Sequence, residues 1–321
     1  MIQFIKKLFT GDNTENPEQK QAQDKEKHFD ILKYDGIRAQ RIGALPYAVK
    51  CMEEALSIKD DAETRSYLVA TYVQLNRIED ACRLLTETLE KEPENIENYI
   101  TLGNLLFMQE NYKEMLNALQ RGVQIDNKHP QIHYLLAKAY HGTLDELQAI
   151  AELTLAISMK EDFYEAYLMR ATILLEMQQI ENAAEDAEIM FKLAPDDEQV
   201  LMLLGKVNYM KGDATHAEEY FNKVIEINPF NEKAYIGIVQ ILSDAKKEEE
   251  ALEILNEAIE TNPESSLLYH YRGQFKLLMG DKEGSAEDLK KSLELEPEKE
   301  QQINGEFHNY ANPYKTDNPL G

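Results

Sequence analysis

The sequence predicts an all-α solenoid, which is a stack of helix pairs rather than one compact core. A column of mostly small residues recurs at a fixed interval, 33 residues for the first step and 34 for every later step. A period of that length is typical of stacked supersecondary units. Between the columns, apolar residues follow the spacing of amphipathic helices, with Gly or Pro at the breaks. The column consists of Ala48, Ala81, Met115, Ala149, Ala183, Ala217, Ala251 and Ser285.

The sixth unit shows the predicted helix pair most clearly. Its first helix is expected over about Gln199–Met210, and Gly212 ends it because glycine adopts the left-handed turn that closes a helix. Its second helix is expected over about Thr215–Ile227. Pro229 stops that helix, since proline cannot continue the hydrogen-bond ladder. The sequence therefore predicts two antiparallel helices and two short turns in each unit.

The period breaks at both ends of the chain, which divides it into three parts. Residues 1–28 form an N-terminal segment, with an apolar and basic start over 1–10 and a polar stretch over 11–27 that is predicted as a linker or a solvated helix. The repeats are predicted over residues 29–299. Residues 300–321 are predicted to be a tail, which either lies across the last repeat or is disordered.

The composition excludes several classes of function. The formal charge of −25 opposes nucleic-acid binding, which depends on Lys and Arg that neutralise phosphates. No run of 18 apolar residues is present, so no membrane span is expected. Lys6 and Lys7 interrupt the apolar start and no small-residue cleavage site follows, which argues against a signal peptide. The chain is predicted to be cytoplasmic.

No catalytic, cofactor or metal site is predicted. The sequence has no Gly-rich phosphate loop, no pair of His with metal-ligand spacing and no nucleophile elbow, so we expect neither enzyme activity nor a cofactor. His133 stands where Tyr99 and Tyr167 stand in neighbouring units, which favours a packing role. Cys51 and Cys82 fall in second helices of adjacent units, farther apart than a disulfide can reach.

The repeated pattern resembles the tetratricopeptide repeat family. The best single match combines Leu204-Gly205, Gly212-Asp213, Ala217, Phe221 and Pro229, and eight units in one register cover about 271 of the 321 residues. The resemblance implies antiparallel helix pairs wound into a right-handed superhelix. It also implies a concave groove that the first helix of each pair lines.

The first helices of the middle units carry the residues that we expect to bind a partner. Their groove faces are more apolar and aromatic than an ordinary solvated face. Met adapts to binding surfaces, and Tyr combines contact area with a hydroxyl group. The alternative is that these residues pack against the next turn of first helices. The predicted protein-binding residues are Ile100, Asn104, Phe107, Met108, Tyr134, Lys138, Leu168, Leu175, Met202, Lys206, Tyr209 and Met210.

The function that the sequence favours is a non-catalytic scaffold that binds a partner peptide or protein in the groove. One alternative is a homo-oligomer or a self-covered solenoid, in which the Phe307–Leu320 tail fills the groove or the end of the stack. Another is a membrane-peripheral assembly factor tethered by the amphipathic residues 1–10. The repeats are compatible with all three hypotheses.

One recognition mode of the family is not expected in this chain. Part of the family binds acidic chaperone tails through a clamp of Lys, Asn and Arg on three consecutive first helices. Lys33 matches the first clamp residue, but Ile37 replaces the next one, an Asn. Tyr67 and Glu97 stand where Asn and Lys would be expected.

Overall fold

A computed structural model describes residues 17–296, and within that range the chain consists of helices joined by short turns. The anchor predicted in residues 1–10 and the tail predicted in residues 300–321 lie outside the described residues. The sixteen helices of the described range are α1 Pro17–Arg41, α2 Leu45–Ile58, α3 Ala62–Gln74, α4 Ile78–Lys91, α5 Ile96–Met108, α6 Tyr112–Ile125, α7 Pro130–Gly142, α8 Glu146–Met159, α9 Tyr164–Glu176, α10 Ile180–Leu193, α11 Glu198–Met210, α12 Ala214–Ile227, α13 Glu232–Asp244, α14 Glu248–Thr261, α15 Ser266–Leu278 and α16 Lys282–Leu295.

The helices form two compact units, one ending at Asp145 and the other beginning at Glu146. In unit 1, each helix from α1 to α7 packs against the next, and α1 and α5 also contact α3 and α7 respectively. In unit 2, each helix from α8 to α16 packs against the next, and the first helices α9, α11, α13 and α15 contact one another in series. The predicted all-α solenoid is confirmed, since each unit is a series of helices in which every helix packs against the next.

The turn that follows each first helix uses one residue with a left-handed backbone. Gly212 has φ of 80° directly after α11, as its position in the sequence predicts. Three of these residues are Gly, and the other five carry side chains in a conformation that costs an L-residue about 1 kcal/mol. The turn is therefore imposed by helix packing and not by glycine alone. The eight residues are Gly43, Asn76, Glu110, Leu144, Gln178, Gly212, Lys246 and Gly280.

The column of small residues lies in the core. All eight of its side chains are at most 2% exposed. Close approach is clearest around Phe221 on α12, because a Cβ atom added at Gly205 on α11 or at Gly237 on α13 would overlap its ring. The small residues therefore set the distance between helices, and the large residues between them fill the remaining space.

The first helix begins earlier than the predicted start of the repeats at residue 29. The polar stretch was predicted to be either a linker or a solvated helix. Helix α1 starts at Pro17, so residues 17–27 are helical. Phe29 is buried, and Lys59 at the end of α2 bonds Glu26 at 2.5 Å. The Glu, Gln, Lys and Ala of this stretch favour helix, and the N-terminal half of α1 stays exposed.

Unit 2 contains two copies of a buried ion pair that the sequence analysis did not predict. Arg170 on α9 donates to both carboxylate oxygens of Asp186 on α10, at 2.8 and 2.6 Å. Arg272 on α15 repeats those distances with Asp288 on α16. The two aspartates are 2% and 4% exposed. Each arginine directly precedes a small residue of the first helix, at a position where the repeat usually has an aliphatic residue. The sequence shows this exception but not the acid that pairs with it.

Candidate functional site

The predicted binding residues of α5 differ widely in exposure. Ile100 is buried, whereas Asn104 is exposed and Phe107 is half-buried. Met108, at the end of the helix, is 61% exposed. Helix α5 therefore leaves Asn104 and Met108 exposed, while Ile100 belongs to the core.

A small aromatic cluster forms where α7 lies beside α5. The ammonium nitrogen of Lys138 lies 3.5 Å from the centroid of the Phe107 ring and 5.8 Å from that of Tyr134. Burial lowers the pKa of Lys138, since the charged form loses hydration. We call Phe107, Met108, Tyr134 and Lys138 the α5–α7 patch. It is a partly buried aromatic surface with a cation on one ring and an exposed methionine at its edge.

The predicted residues of unit 2 are more enclosed than those of unit 1. Leu175 and Met202 are 7% and 8% exposed and lie in the core, whereas Leu168 and Met210 are half-buried. The hydroxyl of Tyr209 donates to Asp244 Oδ2 at 2.6 Å.

Burial and proximity shift the ionisation of two of these side chains. Burial and the Asp244 hydrogen bond raise the pKa of Tyr209. Burial, with a smaller contribution from Lys233, lowers the pKa of Lys206. Ile100, Leu175 and Met202 offer little surface to a partner, and binding by the other nine predicted residues stays a prediction.

Two further side chains singled out from the sequence have structural partners. His133 is 4% exposed, and its Nε2 lies 3.1 Å from the backbone oxygen of Asn127, as expected for a packing histidine. Lys33, the one match to the chaperone-tail clamp, is buried and lies 2.9 Å from Asp61 and 2.6 Å from Glu63. Burial lowers the pKa of Lys33, but hydrogen bonds to these two carboxylates raise it overall. Both of its counterions belong to the chain itself.

A cavity of about 520 Å³ lies between α3 and α5 in unit 1. Its floor is apolar and includes Val69, Val73 and Leu85. The wall formed by α3 is a stripe of small exposed residues one helical turn apart, which leaves the cavity open on that side. These residues are Ala62, Ser66 and Ala70.

Four side-chain amides line the same cavity. Three belong to α5 or its N-terminal cap, and the fourth stands at the end of α3. The side chains of these four residues bond no other residue within 17–296, whereas Asn208, Asn228 and Asn262 in unit 2 each donate to a protein oxygen. Each free amide offers both a donor and an acceptor. The four residues are Gln74, Asn95, Asn98 and Asn104.

The charged residues that line the cavity neutralise each other. Arg65 is 6% exposed, and its two terminal nitrogens bond Asp60 and Glu92. Its Nε is buried and has no hydrogen-bond partner in the part of the chain that the structure describes. Arg65 and Glu92 are the charged members of the cavity lining, so the wall carries no net charge.

The sequence analysis found one residue of this cavity, Asn104, and missed the rest. The binding residues were predicted from apolar and aromatic side chains, whereas α3 offers small ones. One signal was present: Arg65 occupies the position that Tyr99 and Tyr167 occupy in their units. A charged group at an otherwise aromatic packing position indicates that this part of the stack is filled differently.

None of the helices within residues 17–296 has the length and apolar character needed to cross a bilayer.

Models of the tetratricopeptide repeat match residues 73–139, 168–232 and 209–272. The matched ranges together cover more than half of the chain. They include α5, all but the last three residues of α7, and most of unit 2.

Relatives of known identity share part of the chain at low identity. Protein O-mannosyl-transferase TMTC1 of Homo sapiens is 22% identical over 192 residues, which is 59% of this chain and 22% of that protein. A tetratricopeptide repeat protein 21 homolog of Caenorhabditis briggsae is 23% identical over 263 residues, which is 73% of this chain and 20% of that protein. The chain spans about a fifth of the length of these relatives.

Solved structures show the same fold. A tetratricopeptide repeat protein from Parabacteroides merdae has a TM-score of 0.57 and 17% identity, covering 86% of this chain and 96% of that one. YrrB, described as a repeat protein of this kind with an unusual peptide-binding site, has a TM-score of 0.50 and 21% identity, covering 59% and 97%. At such identities the likeness concerns the fold alone.

Proposed function

Because the chain belongs to the tetratricopeptide repeat family, we propose that it is a non-catalytic scaffold that binds a partner peptide or protein through its first helices. The α5–α7 patch carries this proposal. Met108, which follows Phe107 in the chain, is 61% exposed, and exposed apolar surface of this kind marks interaction sites. The peptide-binding site described for YrrB is compatible with this use of the fold.

Lys138 gives the patch a polar contact as well as an apolar one. Its ammonium group rests on the Phe107 ring and has lost part of its hydration, which lowers its pKa. A carbonyl or carboxylate oxygen of a partner would restore a charge-assisted hydrogen bond there. The patch is therefore suited to a partner that pairs an apolar side chain with a nearby oxygen acceptor.

Site-specific photo-cross-linking tests this proposal in the full-length protein. Benzoylphenylalanine placed at Met108 is expected to capture a discrete partner from a lysate of the source organism. The matched control places it at Ile125, which is 44% exposed but lies on the second helix α6. Absence of a product from position 108, or the same product at equal yield from both positions, would contradict the proposal.

Phe107 and Tyr209 are also predicted binding residues, but substituting them tests partner binding less directly than substituting Met108. Phe107 is half-buried and packs 6.0 Å from the Tyr112 ring, and Tyr209 bonds Asp244. Truncating either residue would remove structural contacts together with any partner contact. Met108→Glu changes an exposed side chain, so we expect it to reduce cross-linked partner recovery without lowering the thermal unfolding temperature.

Self-association is the second candidate function, and unit 2 contains the observation that favours it. Leu277, Leu278 and Met279 at the end of α15 are 53%, 55% and 43% exposed. A second copy or the chain's own tail would cover them. If the protein self-associates in this way, the double variant Leu277→Ser and Leu278→Ser, or deletion of residues 305–321, should change the number of chains per particle. Light scattering measures this number as the particle mass divided by the mass of one chain. An unchanged number of chains per particle in both variants argues against self-association of this kind.

A further inference from the structure

We propose that the outer face of α1 binds a second copy of this chain, so that two α1 helices pack antiparallel about a twofold axis. The residues of this face are spaced three or four apart and therefore share one side of the helix. We call them the α1 face, and they are Ile31, Tyr34, Asp35, Arg38 and, directly after the last turn, Ile42. The α1 face is separate from the α5–α7 patch and from Leu277–Met279, so the inference goes beyond the proposed function.

The later helix pairs show that this side of a first helix is a packing surface. Seven residues occupy the position of Arg38 in the later pairs, and all are at most 6% exposed. They are Thr71, Leu105, Ala139, Ile173, Val207, Ile241 and Phe275. Arg38 is exposed because no helix of the described range precedes α1, whereas α5 contacts α7 and α11 contacts α13. The first pair therefore leaves uncovered a surface that the repeat otherwise buries.

The uncovered surface is apolar, although the end of a repeat array needs a polar outer face to stay soluble. Ile31, Tyr34 and Ile42 are 58%, 56% and 81% exposed. Tyr47 on α2 lines a depression of about 530 Å³ together with Asp35 and Ile42, and the seven later pairs have a polar residue or glycine in the position of Tyr47. The last described helix, α16, exposes mainly Lys and Glu. The apolar groups at α1 therefore indicate a contact surface.

The order of side chains along α1 fits a second copy of the same helix. The midpoint between Ile31 and Ile42 is also the midpoint between Asp35 and Arg38. Two α1 helices that pack antiparallel about this point bring Ile31 of each copy opposite Ile42 of the other. They also bring each Asp35 opposite the other copy's Arg38. Such a contact is isologous, because both copies use the same surface, and it pairs apolar groups and opposite charges at once.

The same charges argue against the alternative occupant within the chain. Residues 1–10 are apolar and basic, with Lys6 and Lys7 and no acid. The α1 face carries Arg38, which already bonds Asp35, and Arg41 lines the same depression. A basic segment would add positive charge beside these arginines, whereas a second copy brings one acid for each Arg38. Charge complementarity therefore favours the second copy.

Sedimentation equilibrium of the purified full-length protein tests the contact. A small interface of this kind should give a dimer with a dissociation constant of about 1–100 μM. Asp35→Arg and Arg38→Asp should each weaken the dimer at least about tenfold, because like charges then face each other across the axis. An equimolar mixture of the two variants should restore it, since opposite charges face each other again. A mixture that associates no better than its components overturns the proposal.

Two charge changes on α4 are the matched controls. Glu87→Arg repeats the change of Asp35→Arg at another exposed position. Arg83→Asp repeats the change of Arg38→Asp, and Arg83 likewise bonds an acid three residues earlier on its own helix. Both controls should leave the dissociation constant unchanged, and circular dichroism verifies that every variant is folded. Controls that weaken the dimer as much as the α1 variants overturn the proposal.

Disulfide formation tests the antiparallel arrangement. The variants Ile31→Cys and Ile42→Cys, each in a Cys82→Ser background, should form a disulfide between chains when they are mixed, because the two positions face each other. Neither variant should form one alone, since the same position in the two copies lies about 16 Å apart along the helix, beyond the reach of a disulfide. A disulfide of equal yield in either variant alone overturns the arrangement.

The other occupants give different results. A full-length chain that is monomeric and dimerises only after deletion of residues 1–10 assigns the α1 face to that segment and overturns the proposal. Association that Leu277→Ser with Leu278→Ser abolishes and Asp35→Arg leaves unchanged belongs to α15, which also overturns it. Loss of the cross-link from position 108 contradicts the scaffold proposal alone, because the dimer is measured in purified protein.

Discussion

Arg65 in unit 1 is buried and Arg272 in unit 2 is half-buried, and although both lie on first helices their hydrogen-bond partners differ. Arg272 donates from Nε and one terminal nitrogen to both oxygens of Asp288, and from the other to Asn256. Arg65 divides its terminal nitrogens between Asp60 and Glu92, and its Nε has no partner among described residues.

This contrast shows how one repeat scaffold supports two outcomes. Around Arg272 the hydrogen-bonding groups are satisfied within the chain, so the pair holds two helices together. Arg65 lines a cavity, and the four side-chain amides of that cavity bond no other residue of the described range. The two sites thus differ in how completely the described residues satisfy the hydrogen-bonding groups of the arginine.

The largest expected effect comes from removing the acid of the satisfied pair. Asp288→Asn should lower the free energy of unfolding by about 3 kcal/mol, because Arg272 and Lys276 lose their shared counterion in a buried position. Urea unfolding and hydrogen exchange of α15 and α16 measure the loss. The control Glu287→Gln, exposed on the same helix, should change stability by less than about 0.5 kcal/mol.

The same variant predicts a dependence on pH. Burial raises the pKa of Asp288, but hydrogen bonds from Arg272 and Lys276 outweigh burial and lower it overall. A lowered folded-state pKa gives stabilisation that is complete above the usual pKa of Asp, about 3.9, and is lost as the pH falls through the lowered value. The stability difference between wild type and Asp288→Asn should therefore shrink below about pH 4. A constant difference into strong acid would refute this assignment.

A smaller effect should distinguish the two arginines directly. Arg272→Lys should cost about 2 kcal/mol, because lysine cannot reproduce a two-oxygen contact. Arg65→Lys should cost less than about 1 kcal/mol, since Asp60 and Glu92 are 50% and 37% exposed and the substitution removes the unpaired Nε–H. Both values come from urea titrations under one set of conditions. Equal losses would remove the distinction between the two sites.

The smallest effect compares the turns that follow α5 and α15. Glu110 has φ of 55° and Gly280 has φ of 88°. Glu110→Gly should stabilise the protein by about 0.5 kcal/mol, because relief of left-handed strain exceeds the entropy cost of glycine. Gly280→Ala should destabilise it by about 1 kcal/mol. Thermal unfolding measures both changes, and two changes of the same sign would show that the turns are not equivalent.

Much of the fold was predictable because a repeat states its core pattern eight times. The helix pair of the sixth unit, the left-handed turn at Gly212 and the burial of the small column all follow from residue types and spacing. The start of α1 was not predictable, because residues 17–27 are polar and only their helix propensity distinguishes a solvated helix from a linker.

The candidate site was predictable only in part. Periodicity identifies the side of a first helix, but it does not measure how much of that side a neighbour covers. Ile100, Leu175 and Met202 were predicted on the same groove face as Met108 and Lys138, and the structure buries them. The cavity amides were overlooked because Asn and Gln are equally common on solvated surfaces, and only their partners or lack of partners distinguishes the two cases.

The sequence by itself determined the helix pairs, their 34-residue register and the core column, because these depend on local periodicity and side-chain size. Only the tertiary structure decided which side chains remain available. Arg170 and Arg272 find acids sixteen residues away on the paired helix, whereas Arg65 reaches Glu92, twenty-seven residues away at the end of α4. Which acid each arginine reaches depends on how the helices pack, because a hydrogen bond needs a partner that is close in space. The same packing brings the carboxamides of α3 and α5 to one cavity.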